Sequence, residues 1–77
     1  MDYTKQIEYH YSGEYATKSP LVLTEENKSQ VEIYDCHENQ PIDVSEKSVN
    51  DLAKILADID ANWREITEEE FNKIVNS

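Results

Sequence analysis

The chain has 77 residues, with seventeen acidic side chains against seven basic ones and a formal net charge of −10. A single domain of this length removes only about 60% of its unfolded surface from water, so the core is thin and a deep substrate cavity would hollow it out. The charge repels nucleic acid and anionic membranes and draws the chain toward cationic surfaces, while the single cysteine, Cys36, excludes an internal disulfide.

Apolar runs such as Leu21-Val22-Leu23 fall far short of a membrane span. The opening Met1-Asp2-Tyr3-Thr4-Lys5 has no apolar region of the kind a signal peptide needs. With one cysteine, these features lead to the expectation of a reduced, cytoplasmic protein that engages no membrane and no nucleic acid directly.

Residues Gln6 to Tyr11 alternate, with Ile7, Tyr9 and Tyr11 on one face, which predicts a strand over about 5–11. Ser12-Gly13 supplies a turn. A three-residue loop, Tyr11-Ser12-Gly13, would set Tyr9 opposite Tyr15 and Ile7 opposite Thr17 and keep the aromatic side chains together. A second strand is expected over about 15–24, with Pro20 opening its unalternating Leu21-Val22-Leu23 stretch. After a polar turn at Thr24–Ser29, a third strand over about 30–36 places Val31 and Ile33 inward and Glu32 and Tyr34 outward. The expectation is a three-stranded antiparallel β-meander with its second strand in the middle.

The second half reads as helix. Ser45 fits an N-cap, with Val44 and Val49 as a hydrophobic staple, and Val49, Leu52, Leu56, Ile59 and Trp63 form one apolar stripe. That predicts a long helix over about 46–62, with Lys47, Asp51, Lys54 and Asp58 on its solvated side. Thr67-Glu68-Glu69-Glu70 is a capping box, flanked by Ile66 and Phe71 as a staple, and starts a short helix over about 68–76. The chain is thus expected to be one acidic α+β domain, 1–77, in which the two helices form an αα-hairpin packed on the meander.

No catalytic set assembles from these elements. Cys36 and His37 are neighbours on a strand and point to opposite faces, and two histidines with one cysteine fall short of a structural zinc set. Ser45, Ser48 and Thr67 are accounted for as caps and first-turn residues. Gly13 is the only glycine, which excludes a phosphate-binding loop. Neither enzyme activity, nor a cofactor, nor a metal is expected.

The tyrosines, Tyr3, Tyr9, Tyr11, Tyr15 and Tyr34, could stack on bases, but base-stacking platforms lie in positive grooves and this field is negative. Beside carboxylates they instead suit arginine, through cation–π attraction and charge-assisted hydrogen bonds. Asp58 and Asp60 stand at the end of the long helix, where its dipole disfavours anions by about 0.3–1 kcal/mol each. Acid kept where it opposes local stability suggests a docking site for arginine or lysine. The partner-binding set expected is Asp58, Asp60, Glu65, Glu68 and Glu69, with Glu32 and Tyr34 from the outward face of the sheet.

Asp58-x-Asp60-x-Asn62, followed by Ile66 and Glu69-Glu70-Phe71, resembles an EF-hand over about a quarter of the chain. The resemblance implies calcium held by Asp58, Asp60, Asn62 and Glu69. It departs from that family where Trp63 replaces the turn glycine and Ile66 falls one residue late.

In size, charge and want of a catalytic set, the chain resembles the anti-defence proteins of phages and mobile elements, DNA mimics and anti-CRISPR proteins. That profile implies a monomer or weak dimer that inhibits by occupying a basic, nucleic-acid-binding surface. Two other readings stand beside it. One is an interaction module, immunity- or antitoxin-like or a complex subunit, that binds through an apolar patch. The other is an EF-hand-like calcium binder.

Overall fold

Both faces of the sheet in this protein are apolar, and each is covered by its own helix. The computed structural model describes residues 2–59 and 63–76. In chain order it has β1 (Ile7–Tyr11), β2 (Tyr15–Pro20), β3 (Glu32–Asp35), β4 (Gln40–Ile42), α1 (Val49–Ile59), β5 (Arg64–Ile66) and α2 (Glu68–Val75). The five strands make one antiparallel sheet in the order β4-β3-β2-β1-β5. The class is α+β. The expected meander is its centre, and one short strand is added at each edge.

The hairpin register differs from the expected one. Tyr9 lies opposite Lys18 and Tyr11 opposite Ala16, so the loop is Gly13-Glu14, closed by Ser12 N–H donating to the Tyr15 carbonyl at 2.9 Å. Gly13 has φ +92°, the positive value that the first central position of a type II′ hairpin turn demands. The Ser12 hydroxyl also accepts from the Tyr15 N–H at 3.1 Å, which holds the tighter loop. An odd shift in register sends Tyr15 to the face opposite Tyr9 and Tyr11.

β2 stops at Pro20, and Leu21 and Val22 stand exposed beyond it. Proline has no N–H for the ladder, so it closes this strand instead of opening a longer one. The polar turn that follows is tied down by Asn27, which is buried. Its side-chain oxygen accepts from Thr24 N–H at 2.7 Å, and its nitrogen donates to the Thr4 and Val22 carbonyls at 2.8 and 2.9 Å. Pro41 sits in the edge strand β4, a position where proline is tolerated.

On one face Ala16 and Tyr34 pack with Ile66 and Phe71, and Tyr9, Tyr11, Ile74 and Val75 surround them. On the other, Val31 and Ile33 pack with Leu52, bordered by Tyr15, Leu23, Val44, Ile55, Leu56 and Ile59. Tyr34, expected outward, is therefore buried beneath α2, because the side of the sheet that an αα-hairpin would leave wet carries a second core. Leu52 is the one residue of α1 that is fully buried, and α1 rests lightly on its face.

α1 starts at Val49, later than predicted. The Ser48 hydroxyl, not that of Ser45, accepts from the N–H of Asp51 at 3.1 Å and caps it. Ser45 is held by Asp43, to whose carboxylate it donates from both N–H and hydroxyl at 3.0 and 2.7 Å. The predicted end of this helix at 60–62 lies outside the described residues. Between the helices the chain runs antiparallel along β1, pairing Ile66 with Tyr9, Glu65 with His10 and Arg64 with Tyr11. This edge strand replaces the expected αα-hairpin and carries the chain from one face to the other.

The α2 capping box forms as its sequence predicts: Thr67 Oγ1 accepts from Glu70 N–H at 3.1 Å, and the Glu70 carboxylate accepts from Thr67 N–H at 3.2 Å. Ile66 and Phe71 meet as the staple that fixes the helix to the sheet. Thr67→Ala should lower stability by about 1 kcal/mol, readable as a shift of roughly 4–8 °C in thermal melting followed by circular dichroism. Phe71→Ala should cost about 3–5 kcal/mol and leave most of the chain unfolded, since a core of this size supports only about 3–5 kcal/mol in all.

Candidate functional site

Among the described residues four ion pairs form: Lys18–Glu32 at 3.3 Å, Lys28–Glu25 at 3.0 Å, Arg64–Glu70 at 3.9 Å and Lys73–Glu69 at 3.8 Å. All are partly or largely exposed and each is worth at most about 1 kcal/mol. Among the described residues they engage four of the bases and four of the carboxylates.

The expected partner-binding residues do not form one knob. Asp58 is exposed in the last turn of α1, and Glu65 is exposed on β5, on the same face of the sheet as α1. Glu68 and Glu69 lie in the first turn of α2, across the sheet. Glu32 is exposed but paired with Lys18, and Tyr34, at 8% exposure, is a core residue packed beneath α2. Asp60 lies outside the described residues. Of the EF-hand set, Asp60 and Asn62 lie outside the described residues, and the two described members are not brought to one loop. Asp58 and Glu69, which would close the two ends of one cation loop, ride on helices on opposite faces, and Arg64–Ile66 between them pair with β1.

A concave site forms where α1 rests lightly. The C-terminal half of α1 (Ile55, Asp58 and Ile59), the hairpin turn (Ser12, Glu14 and Tyr15) and Ile42 of β4 enclose a cleft of about 460 Å³. Its walls are isoleucine and tyrosine, and its charged groups are two carboxylates, Glu14 and Asp58. No basic residue stands in the last turn of α1, so the negative end of the helix dipole adds to the same field. An apolar slot with an anionic rim accepts an aliphatic stem that ends in a guanidinium or ammonium group. Glu14 and Ile42 escaped sequence reasoning, because the cleft exists only once the tight Gly13-Glu14 loop and β4 are in place. The Ser12-Gly13 pair was the signal available for the turn.

A second grouping lies on the same face, toward the other edge of the sheet. Glu8 and His10 alternate on β1, Glu65 stands opposite His10 on β5, and one donor atom from each lies within 4.8 Å of the others. The indole of Trp63 stacks on the His10 ring, with centroids 4.0 Å apart and planes 18° from parallel. On the far face Arg64 reaches over the Tyr11 ring, 5.7 Å from its centroid.

Three groups have shifted proton affinities. Burial pushes the Cys36 thiol up, with Asp35 adding to the effect, so this cysteine stays a neutral thiol at neutral pH and is a poor nucleophile. Burial beneath α2 raises Tyr9, and the neighbouring Glu68 carboxylate raises it further. Asp43 is held below the usual carboxylate range by the hydrogen bonds it accepts from Ser45.

No family model matches the chain, and neither a curated protein nor a solved structure is found that is similar to it. Among the described residues no helix is long and apolar enough to cross a membrane.

Because the Tyr9 pKa is raised on folding, the native state holds its proton to higher pH than the unfolded chain, whose tyrosines ionise near 10. Stability should therefore fall as the pH rises from the unfolded value toward the folded one. Glu68→Gln removes the nearest negative charge, so it should bring the Tyr9 pKa down and flatten that alkaline loss. Ring-carbon NMR titration of the tyrosines, with denaturation midpoints measured across the same pH range, checks both effects.

Proposed function

We propose that this chain is a non-catalytic binding protein that seats on a cationic protein surface, with the acidic cleft beside α1 as its receptor for an arginine or lysine side chain. The natural target is a basic groove that otherwise holds nucleic acid, so the protein acts as an inhibitor that occupies that groove with carboxylates in place of phosphates. The observation that carries this reading is the cleft itself: Glu14 and Asp58 are its charged groups, both anionic, over walls of Ile42, Ile55, Ile59 and Tyr15. Asp58 opposes the dipole of its own helix, a cost of about 0.3–1 kcal/mol that a bound cation would offset. The net charge of −10 supplies long-range steering toward such a target.

A second reading has its own observation. Tyr3, Leu21 and Val22 are 51%, 41% and 46% exposed, and Val22 N–H donates to the Tyr3 carbonyl, which brings them together at one end of the molecule. An interaction module could bind through this apolar patch, with its acids serving solubility.

The two readings separate on salt and on substitution. In retention on immobilised protein at low salt, followed by a salt gradient, the charge reading expects nucleic-acid-binding proteins to elute early in the gradient. Each of Glu14→Lys and Asp58→Lys should weaken the interaction by at least about tenfold, or roughly 1.4 kcal/mol. Retention that ignores salt, survives both reversals and is lost in the double variant Leu21→Ser, Val22→Ser would overturn the charge reading in favour of the apolar one.

A further inference from the structure

We propose that Glu8, His10 and Glu65 form a binding site for a divalent transition-metal ion, with zinc the ion whose ligand preferences fit best. The site is distinct from the cleft beside α1 and does not depend on the function assigned to it.

Strand geometry builds it. Residues two apart on β1 share a face, so Glu8 and His10 project together. Glu65 is the direct cross-strand partner of His10. The three donor atoms lie within 4.8 Å of one another. Ligands held about 2.0–2.1 Å from a tetrahedral zinc ion lie somewhat closer together than that, and the exposed Glu65 side chain can close the gap by rotation.

Electrostatics asks for a cation at that point. Two carboxylates converge on one imidazole, and neither takes part in an ion pair among the described residues. The base adjacent in sequence, Arg64, faces the other way, toward Tyr11 and Glu70.

The surroundings of His10 leave buried polar atoms unpaired. His10 Nδ1 is buried without a hydrogen-bond partner, and so is Oγ1 of Thr17, a fully buried residue directly opposite His10 on β2. Buried polar atoms are rarely left unpaired. A histidine that binds metal through one ring nitrogen carries its proton on the other and needs an acceptor there. Thr17, opposite His10 on β2, carries a buried hydroxyl that is not bonded to the ring here and that a small shift of the ring would let serve. Trp63, stacked on the imidazole, fixes its plane and shields it from water. An imidazole with two carboxylates suits zinc and its neighbours in the first transition row, whereas calcium would seek six or more oxygens. Three protein ligands leave one position for water, and the ion would clamp β5 onto β1.

The test is a zinc titration of the full chain, read by calorimetry, by fluorescence of Trp63 and by thermal melting. Expected are saturation at one equivalent, a change in Trp63 emission and a rise in melting temperature that grows with free zinc. Glu65→Gln lies on the exposed strand and should leave the metal-free melt unchanged while lowering affinity by about tenfold or more. His10→Gln should abolish saturable binding, and His37→Gln should not affect it. The proposal is overturned if no saturable binding appears below roughly 1 mM zinc. It also fails if Glu65→Gln binds as the parent does, if His37→Gln or Cys36→Ser removes the binding, or if calcium gives the response and zinc does not.

Discussion

Arg64, Glu65 and Ile66 pair with Tyr11, His10 and Tyr9, and this short ladder sets the plan of the molecule. It ends α1 on one face of the sheet and begins α2 on the other, so a chain of 77 residues builds two small cores where a single layer of helices would have built one. Ile66 anchors the ladder by burying its side chain against Phe71, and the Thr67 capping box starts α2 at once. Each part is modest in energy. Together they decide which side chains share a face.

The distribution of charge follows from that plan. Carboxylates stand on helix exteriors, in turns, and on the parts of the sheet that the helices leave open, such as Glu8 on β1 and Glu32 on β3. Of the acids of α2, Glu69 pairs with Lys73 and Glu70 serves the Thr67 cap, while Glu68 lies beside Tyr9. Those on the α1 face, Glu14 and Asp58 in the cleft and Glu8 and Glu65 beside His10, have no cationic partner among the described residues. That face therefore holds unneutralised carboxylates in two places, one lined by isoleucine and one by imidazole. The first suits a side chain from another protein, and the second suits a small cation. α1 buries only Leu52 fully, which keeps the first of them open.

Local signals made part of this legible. The strand alternation at Gln6–Tyr11 and the capping box at Thr67 are decided by neighbours along the chain, and both elements form where the residues place them. Elements decided by distant partners were harder to see. β5 is only Arg64-Glu65-Ile66, too short for a period and visible only as an edge for β1 to pair with. β4 contains Pro41, a residue that reads as a breaker until the strand is known to lie at an edge. Ser45 and Ser48 are equally good caps in isolation, and Asp43 settles the choice by engaging Ser45. The site residues divide in the same way. Asp58 could be singled out because it opposes its own helix. Tyr34 was misplaced because a sheet with two covered faces has no outward side there. Glu8, His10 and Glu65 could not be grouped before β5 was known to lie against β1.

The pairing of β5 with β1 is thus the feature on which the plan of the fold and the grouping of Glu8, His10 and Glu65 depend, and backbone NMR reads it directly. Cross-strand proton contacts between His10 and Glu65 and between Tyr9 and Ile66, with slowed amide exchange along Tyr9–Tyr11, are the predicted result. Sequential amide–amide contacts running as a helix through Arg64–Ile66, with no contact to β1, would contradict it and would return the two helices to one side of the sheet.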